Sequence, residues 1–125
     1  MNALILAVAL AALMPIVFAG LAKRQGGYDN HQPRAWLAGL EGAQARAQAA
    51  QENSHEAFPP FAAAVVLALL LAPERVSTVT LLAYTFLGLR AAYGWAYITD
   101  RATLRSLLWV LALGCTLGIF WQAAV

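Results

Sequence analysis

Residues 35–72 read AWLAGLEGAQARAQAAQENSHEAFPPFAAAVVLALLLA, and the stretch changes character partway along. Up to Glu56 it is rich in Ala, Gln and Glu, whereas from Phe58 to Ala72 it is apolar throughout and interrupted only at its start by Pro59-Pro60. The apolar part is shorter than the roughly 20 residues that a membrane-spanning helix needs. A spanning helix must therefore reach back over Gln48, Asn53 and Glu56, which places polar groups inside the bilayer. The spacing predicts one long helix over 35–72, kinked at the prolines.

Outward from this stretch the chain repeats apolar runs of spanning length. Residues 2–22 form one, Val76 to Ile98 a third and Ala102 to about Ala123 a fourth, with Pro73-Glu74-Arg75 and Thr99 to Arg101 as tight turns. The segment from Lys23 to Leu40, with Gly26-Gly27, Asn30 and Pro33, reads as a connecting loop that overlaps the start of the long helix. The first run is followed, not preceded, by Lys23-Arg24, the reverse of a secretory leader, and is expected to be a retained helix. With 62% hydrophobic and 11% charged residues in 125, the chain has too little polar surface to cover itself in water. The expectation is an all-α membrane protein, a single domain over residues 1–125 that forms a four-transmembrane-helix bundle.

Charge orients the bundle. Lys23, Arg24, Arg34 and Arg46 lie in or near the first connection and Arg101 and Arg105 at the third, while the second has Arg75 alone. The positive-inside rule puts connections one and three in the cytoplasm and both termini on the non-cytoplasmic side. Trp109, Trp121 and Tyr84 are available as interfacial anchors. The net charge of +2, without a basic stripe interleaved with aromatics, argues against nucleic acid. His31 and His55 offer no metal spacing, so no metal site is expected. The single cysteine, Cys115, sits in an apolar run and reads as a packing residue.

Two polar stripes stand out. Arg46, Asn53 and Glu56 share one helix face at steps of seven and three, and Arg90, Tyr93 and Tyr97 share another at steps of three and four. Arg90 lies roughly 12 Å below the cytoplasmic end of its helix, and Glu56 roughly 24 Å from the opposite end of its own, at 1.5 Å per residue. They fall at similar depth, and an ion pair between Glu56 and Arg90 is expected, as glue between helices or as part of a site. Arg101 and Arg105 add positive charge at the same level. Such a surplus suits an anionic ligand entering from the cytoplasm, although basic groups at that helix end also follow from topology.

The stretch Arg46-Ala-Gln-Ala-Ala-Gln-Glu-Asn53-Ser-His-Glu56-Ala-Phe-Pro59-Pro60-Phe61, followed by Arg90-Ala-Ala-Tyr93-Gly-Trp-Ala-Tyr97 and Arg105-Ser106, resembles the MAPEG family, membrane-associated proteins in eicosanoid and glutathione metabolism. The resemblance covers all four helical runs. It implies a homotrimer of four-helix subunits in a membrane, here expected to be a bacterial inner membrane, with glutathione as co-substrate bound between subunits near the cytoplasmic side. Carried over by position, it implies that Asn53 and Glu56 hold the glutathione backbone and amino group, that Arg90 and Tyr97 line the pocket, and that Lys23 reaches toward the ligand. It implies further that Arg105 stabilises the thiolate, with Ser106 beside it. Together with the residues singled out above, the expected set is Arg105 as catalytic residue and Lys23, Arg46, Asn53, Glu56, Arg90, Tyr93, Tyr97, Arg101 and Ser106 as glutathione-binding residues.

The chain departs from the family pattern at Ala49 and Glu52, where many members are basic, at Tyr93, where His is frequent, and at Trp109, where some synthases carry a Tyr. The expected activity is a glutathione-dependent transferase or peroxidase acting on lipophilic electrophiles, with lipid, a lipophilic small molecule and further copies of the chain as partners. The alternative is a non-catalytic trimeric membrane protein that binds another small anion or serves assembly. A transporter is disfavoured, since no two halves carry matching breaks in their spans.

Overall fold

A computed structural model describes residues 2–125. Apart from its connections, of which residues 26–32 are the longest non-helical stretch, the chain is helical, in the order α1 (Asn2–Ala22), a 3-10 turn (Lys23–Gln25), α2 (Pro33–Ala38), α3 (Gly42–Leu71), a second 3-10 turn (Pro73–Arg75), α4 (Val76–Ile98) and α5 (Ala102–Ala124). Three segments, Ala3–Gln25, Gly42–Leu71 and Ala102–Ala124, are long and apolar enough to cross a membrane. Helix α4 has the same length as α5, but its sequence, VSTVTLLAYTFLGLRAAYGWAYI, is diluted by Arg90, tyrosines and threonines.

The single helix expected over 35–72 is two. Pro33 opens α2, as proline does well in a first helical turn. The chain then breaks at Gly39-Leu40-Glu41, and α3 starts at Gly42 with φ of +58°, a left-handed conformation that glycine adopts without a Cβ penalty. Leu40 turns inward there, joining Ala22 and Ala47 in a small cluster packed by Trp36, Leu37 and Ile98. The break thus ties the first connection to the bundle. Helix α3 itself runs continuously through Pro59 and Pro60. Proline has no amide proton, so the carbonyls of His55 and Glu56, four residues back, lose their helical donors.

Small residues on one face bring the helices together. On α1 the buried positions Leu4, Ala7, Ala11, Phe18 and Ala22 recur at helical spacing, and on α3 so do Ala47, Ala50, Ser54, Phe61, Ala64 and Ala68. Without a hydrophobic drive between helices in lipid, such close approach is what supplies dispersion energy. Phe61 and Phe86 stack with centroids 4.1 Å apart and planes 4° from parallel, locking α3 to α4. Helices α1 and α5 each pack on both α3 and α4, which form the central pair. At Gly94 a Cβ would run into the Phe18 ring, so α1 reaches α4 there because the residue is glycine.

The outer surface is apolar. Leu70, Leu81, Ile16 and Trp121 are each more than 60% exposed, an arrangement that water would oppose and lipid accepts. The turn after α4 closes with Asp100 at φ of 60°, Asp100 N–H donating to Tyr97 and Arg101 N–H donating to the Ala96 carbonyl at 2.8 Å. This helix-ending pattern fixes where α5 begins, and so where Arg105 stands.

Candidate functional site

Helices α3, α4 and α5 enclose two clefts on one flank of the bundle. The more polar one, of about 270 Å3, is lined by Asn53 from α3, Tyr93 and Tyr97 from α4, and Arg105, Ser106, Trp109 and Val110 from α5. The other, of about 170 Å3, begins at Asn53, Glu56 and Arg90. It continues along Ala57, Pro60, Phe86, Ala112, Leu113 and Thr116, so its far end is almost wholly apolar.

Arg90 anchors the polar layer. The residue is 2% exposed, and its Nη2 donates to Ser54 Oγ at 3.2 Å. Ser54 Oγ in turn donates to the Ala50 carbonyl at 2.8 Å, which fixes the hydroxyl in an accepting orientation toward Arg90. The guanidinium lies 4.2 Å from the centre of the Tyr93 ring, Tyr93 meets Tyr97 edge to face at 5.6 Å, and Arg105 sits 4.5 Å over the Tyr97 ring. Cation, ring, ring and cation thus form a continuous ladder that runs from Arg90 on the other cleft to Tyr93, Tyr97 and Arg105 on the wall of the polar one. Each contact of this type contributes on the order of 0.5–2 kcal/mol.

The expected ion pair between Glu56 and Arg90 does not form. Both line the same cleft, but Glu56 is exposed and its Oε2 accepts from Asn53 Nδ2 at 3.1 Å, while Arg90 turns inward to Ser54. The physical reason is the order of the stripe: Asn53 is three residues from Glu56 on the same helix and competes for its carboxylate at no cost in chain closure. Among the described residues the salt bridge found is the exposed Arg75–Glu74 pair at 3.7 Å. Asn53 Oδ1 is left buried without a hydrogen-bond partner beside both clefts.

Of the residues singled out from the sequence, Asn53, Glu56, Arg90, Tyr93, Tyr97, Arg105 and Ser106 are brought together at these clefts. Three others sit elsewhere in the chain. Arg46 Nε donates to the Ile98 carbonyl at 2.9 Å and so caps the end of α4. Lys23 Nζ lies 3.8 Å over the Tyr28 ring within the first connection, and Arg101 stands over Trp95 at 4.8 Å. Glu52 accepts from Gln48 at 3.0 Å and is on the exposed side of α3, outside both clefts.

Sequence reasoning placed an apolar pocket against the last helix but missed Ser54 and the residues that form the apolar wall. Ser54 was legible in principle, as the one hydroxyl on the small-residue face of α3. Phe86, Ala112 and Thr116 carry no sequence signal that separates a cleft wall from core packing. Among the described residues no three His, Cys, Asp or Glu side chains gather as a metal site would require.

An all-helical chain with an apolar exterior and an arginine-rich polar layer inside its spans is an integral membrane protein. The MAPEG family model matches residues 3–125, essentially the whole chain, and the chain belongs to that family. No curated protein and no solved structure matches it.

Proposed function

We propose that the protein is a membrane transferase or peroxidase that uses glutathione on lipophilic electrophiles. The observation that carries this is the junction of two chemistries at one place: a polar cleft holding Arg105, Tyr97 and Ser106 opens beside an apolar cleft formed by Phe86, Leu113 and Thr116. An anionic thiol peptide suits the first, since guanidinium groups bind carboxylates and favour a thiolate over a thiol. The buried, unpartnered Asn53 Oδ1 is an acceptor suited to a peptide or ammonium N–H, and Glu56 beside it supplies the countercharge for the amino group. A lipophile reaching the second cleft from the bilayer would be held next to the sulfur, which replaces a bimolecular encounter by proximity.

In conjugation the thiolate attacks carbon, the C–S bond forms, and the leaving group departs with its electron pair. With a hydroperoxide the sulfur attacks oxygen, releasing an alcohol and leaving a sulfenic acid. A second glutathione converts that to disulfide and water. Arg105 acts as the catalytic residue in both by stabilising the thiolate.

The working unit of this reading is a homotrimer in a bacterial inner membrane with both termini on the non-cytoplasmic side. Supporting it, Glu52, His55 and Glu56 face outward from a membrane helix, where ionisable groups require a protein neighbour or a wet cavity in preference to lipid. A neighbouring subunit on that flank would close both clefts. Ala49 and Glu52 favour a second reading, a non-catalytic trimer that binds another small anion, because they remove basic groups from α3.

Calorimetric titration of the detergent-solubilised protein with glutathione separates the two. Saturable heat, together with a growing ultraviolet thiolate band, is expected. Absence of heat at millimolar glutathione would eliminate the enzyme reading.

A further inference from the structure

We infer that Trp109 is the partition between the two clefts and selects, among lipophilic acceptors, those that are slender at the reacting carbon. The inference rests on the thiol-transfer reading and assigns a specificity-determining residue within it.

Two side chains border both clefts, Asn53 from α3 and Trp109 from α5. Asn53 is restrained by its hydrogen bond to Glu56 at 3.1 Å, so the width of the gap is set from the α5 side. Along α5, Arg105, Trp109, Ala112 and Thr116 follow at steps of four, three and four, which puts them on one stripe. Arg105 belongs to the polar cleft, Ala112 and Thr116 to the apolar one, and the indole stands at the crossing between them. With Ala112 one turn beyond it, the largest side chain on the stripe is followed by one of the smallest.

An acceptor entering from the apolar cleft must pass its reacting atom between Trp109 and Asn53 to meet a thiolate at Arg105. The flat apolar ring favours an alkyl chain lying along it and obstructs a branched carbon. A straight-chain enone meets this demand. The thiolate adds to its β-carbon, the C–S bond forms as the π pair moves toward the carbonyl oxygen, and solvent returns a proton to the α-carbon.

The test compares two isomeric enones of equal carbon count, one linear and one with a tert-butyl group on the β-carbon. Each rate with glutathione is divided by the rate without protein. The wild-type chain is expected to prefer the linear isomer by about tenfold or more, within the range that shape alone gives an apolar pocket. Trp109→Ala is expected to remove most of that preference, and Trp109→Phe, which keeps a flat ring, to retain it. Where the protein accelerates the addition, a preference unchanged in Trp109→Ala, or equal acceleration of both isomers by the wild type, would overturn the inference.

A second measurement needs no thiol. Tryptophan fluorescence is titrated with a linear bromoalkane and with its tert-butyl isomer, in the wild type and in Trp109→Phe. A saturable quenching component that favours the linear isomer and disappears in Trp109→Phe is expected. Identical quenching of both proteins would overturn the partition, whereas inert enones combined with the expected quenching would overturn the thiol chemistry and leave the partition standing.

Discussion

Arg90, which is 2% exposed, carries five N–H donors into the bundle, and Ser54 Oγ accepts one of them. Burial of a guanidinium is tolerable when its hydrogen bonds and nearby π faces offset part of the desolvation, and the Tyr93 ring does some of this. Ser54→Ala removes the acceptor and should lower stability by about 1–3 kcal/mol, the usual penalty for leaving a buried donor unpaired. Unfolding in detergent monitored by circular dichroism checks it. Ser54→Thr, which keeps the hydroxyl, should recover part of the loss. At the mouth of the polar cleft, Arg105→Ala should eliminate the thiolate band of added glutathione, since an adjacent cation raises the thiolate fraction roughly ten- to a thousandfold. A thiolate band of full height in that variant would remove Arg105 from the chemistry. The stripe Arg90, Tyr93, Tyr97 was readable from spacing alone. Its pairing with Ser54 was not, because which partner a buried arginine finds depends on helix rotation and not on sequence distance.

At the scale of elements, the approach of α1 to α4 depends on Gly94. Gly94→Ala puts a Cβ into the Phe18 ring, and overpacking of this kind costs about 1–3 kcal/mol. Combining it with Phe18→Ala should recover much of the loss, and the coupling is read from a double-mutant cycle in the same unfolding assay. Additive effects of the two substitutions would mean that the helices do not meet there. Helix α3 shows what the one-dimensional pattern can and cannot convey. Its apolar half and its polar stripe announce a helix, but the break at Gly39-Leu40-Glu41 was hidden because alanine-rich sequence on both sides favours helix continuation. Packing of Leu40 against Ala22 and Ala47, and the left-handed φ at Gly42, outweigh that propensity. Likewise Arg46, one step of a ligand-facing stripe in the sequence, is diverted to the Ile98 carbonyl by the position of the α4 terminus.

For the whole molecule, the outward-facing Glu52, His55 and Glu56 mark the flank expected to meet another subunit. Native mass spectra from detergent should show a three-protomer species, and a monomer alone would count against clefts closed by a neighbour. Orientation is tested separately: a C-terminal alkaline phosphatase fusion in bacterial cells should be active and a fluorescent-protein fusion dark, since both termini are expected outside the cytoplasm. The reverse pattern would invert the topology drawn from the basic connections.

The sequence by itself determined that this chain lives in lipid, that it is helical, where its apolar helical runs lie, the break between α2 and α3 excepted, and that it belongs to the MAPEG family. These follow from quantities that add along the chain: hydropathy, period and local motif. Only the tertiary structure decided that Arg90 rests on Ser54 while Glu56 stays with Asn53, that Lys23, Arg46 and Arg101 lie away from the clefts, and that Trp109 stands between a polar and an apolar chamber. Those depend on the rotation and offset of one helix against the next, which small-residue contacts set and which no spacing within a single helix records.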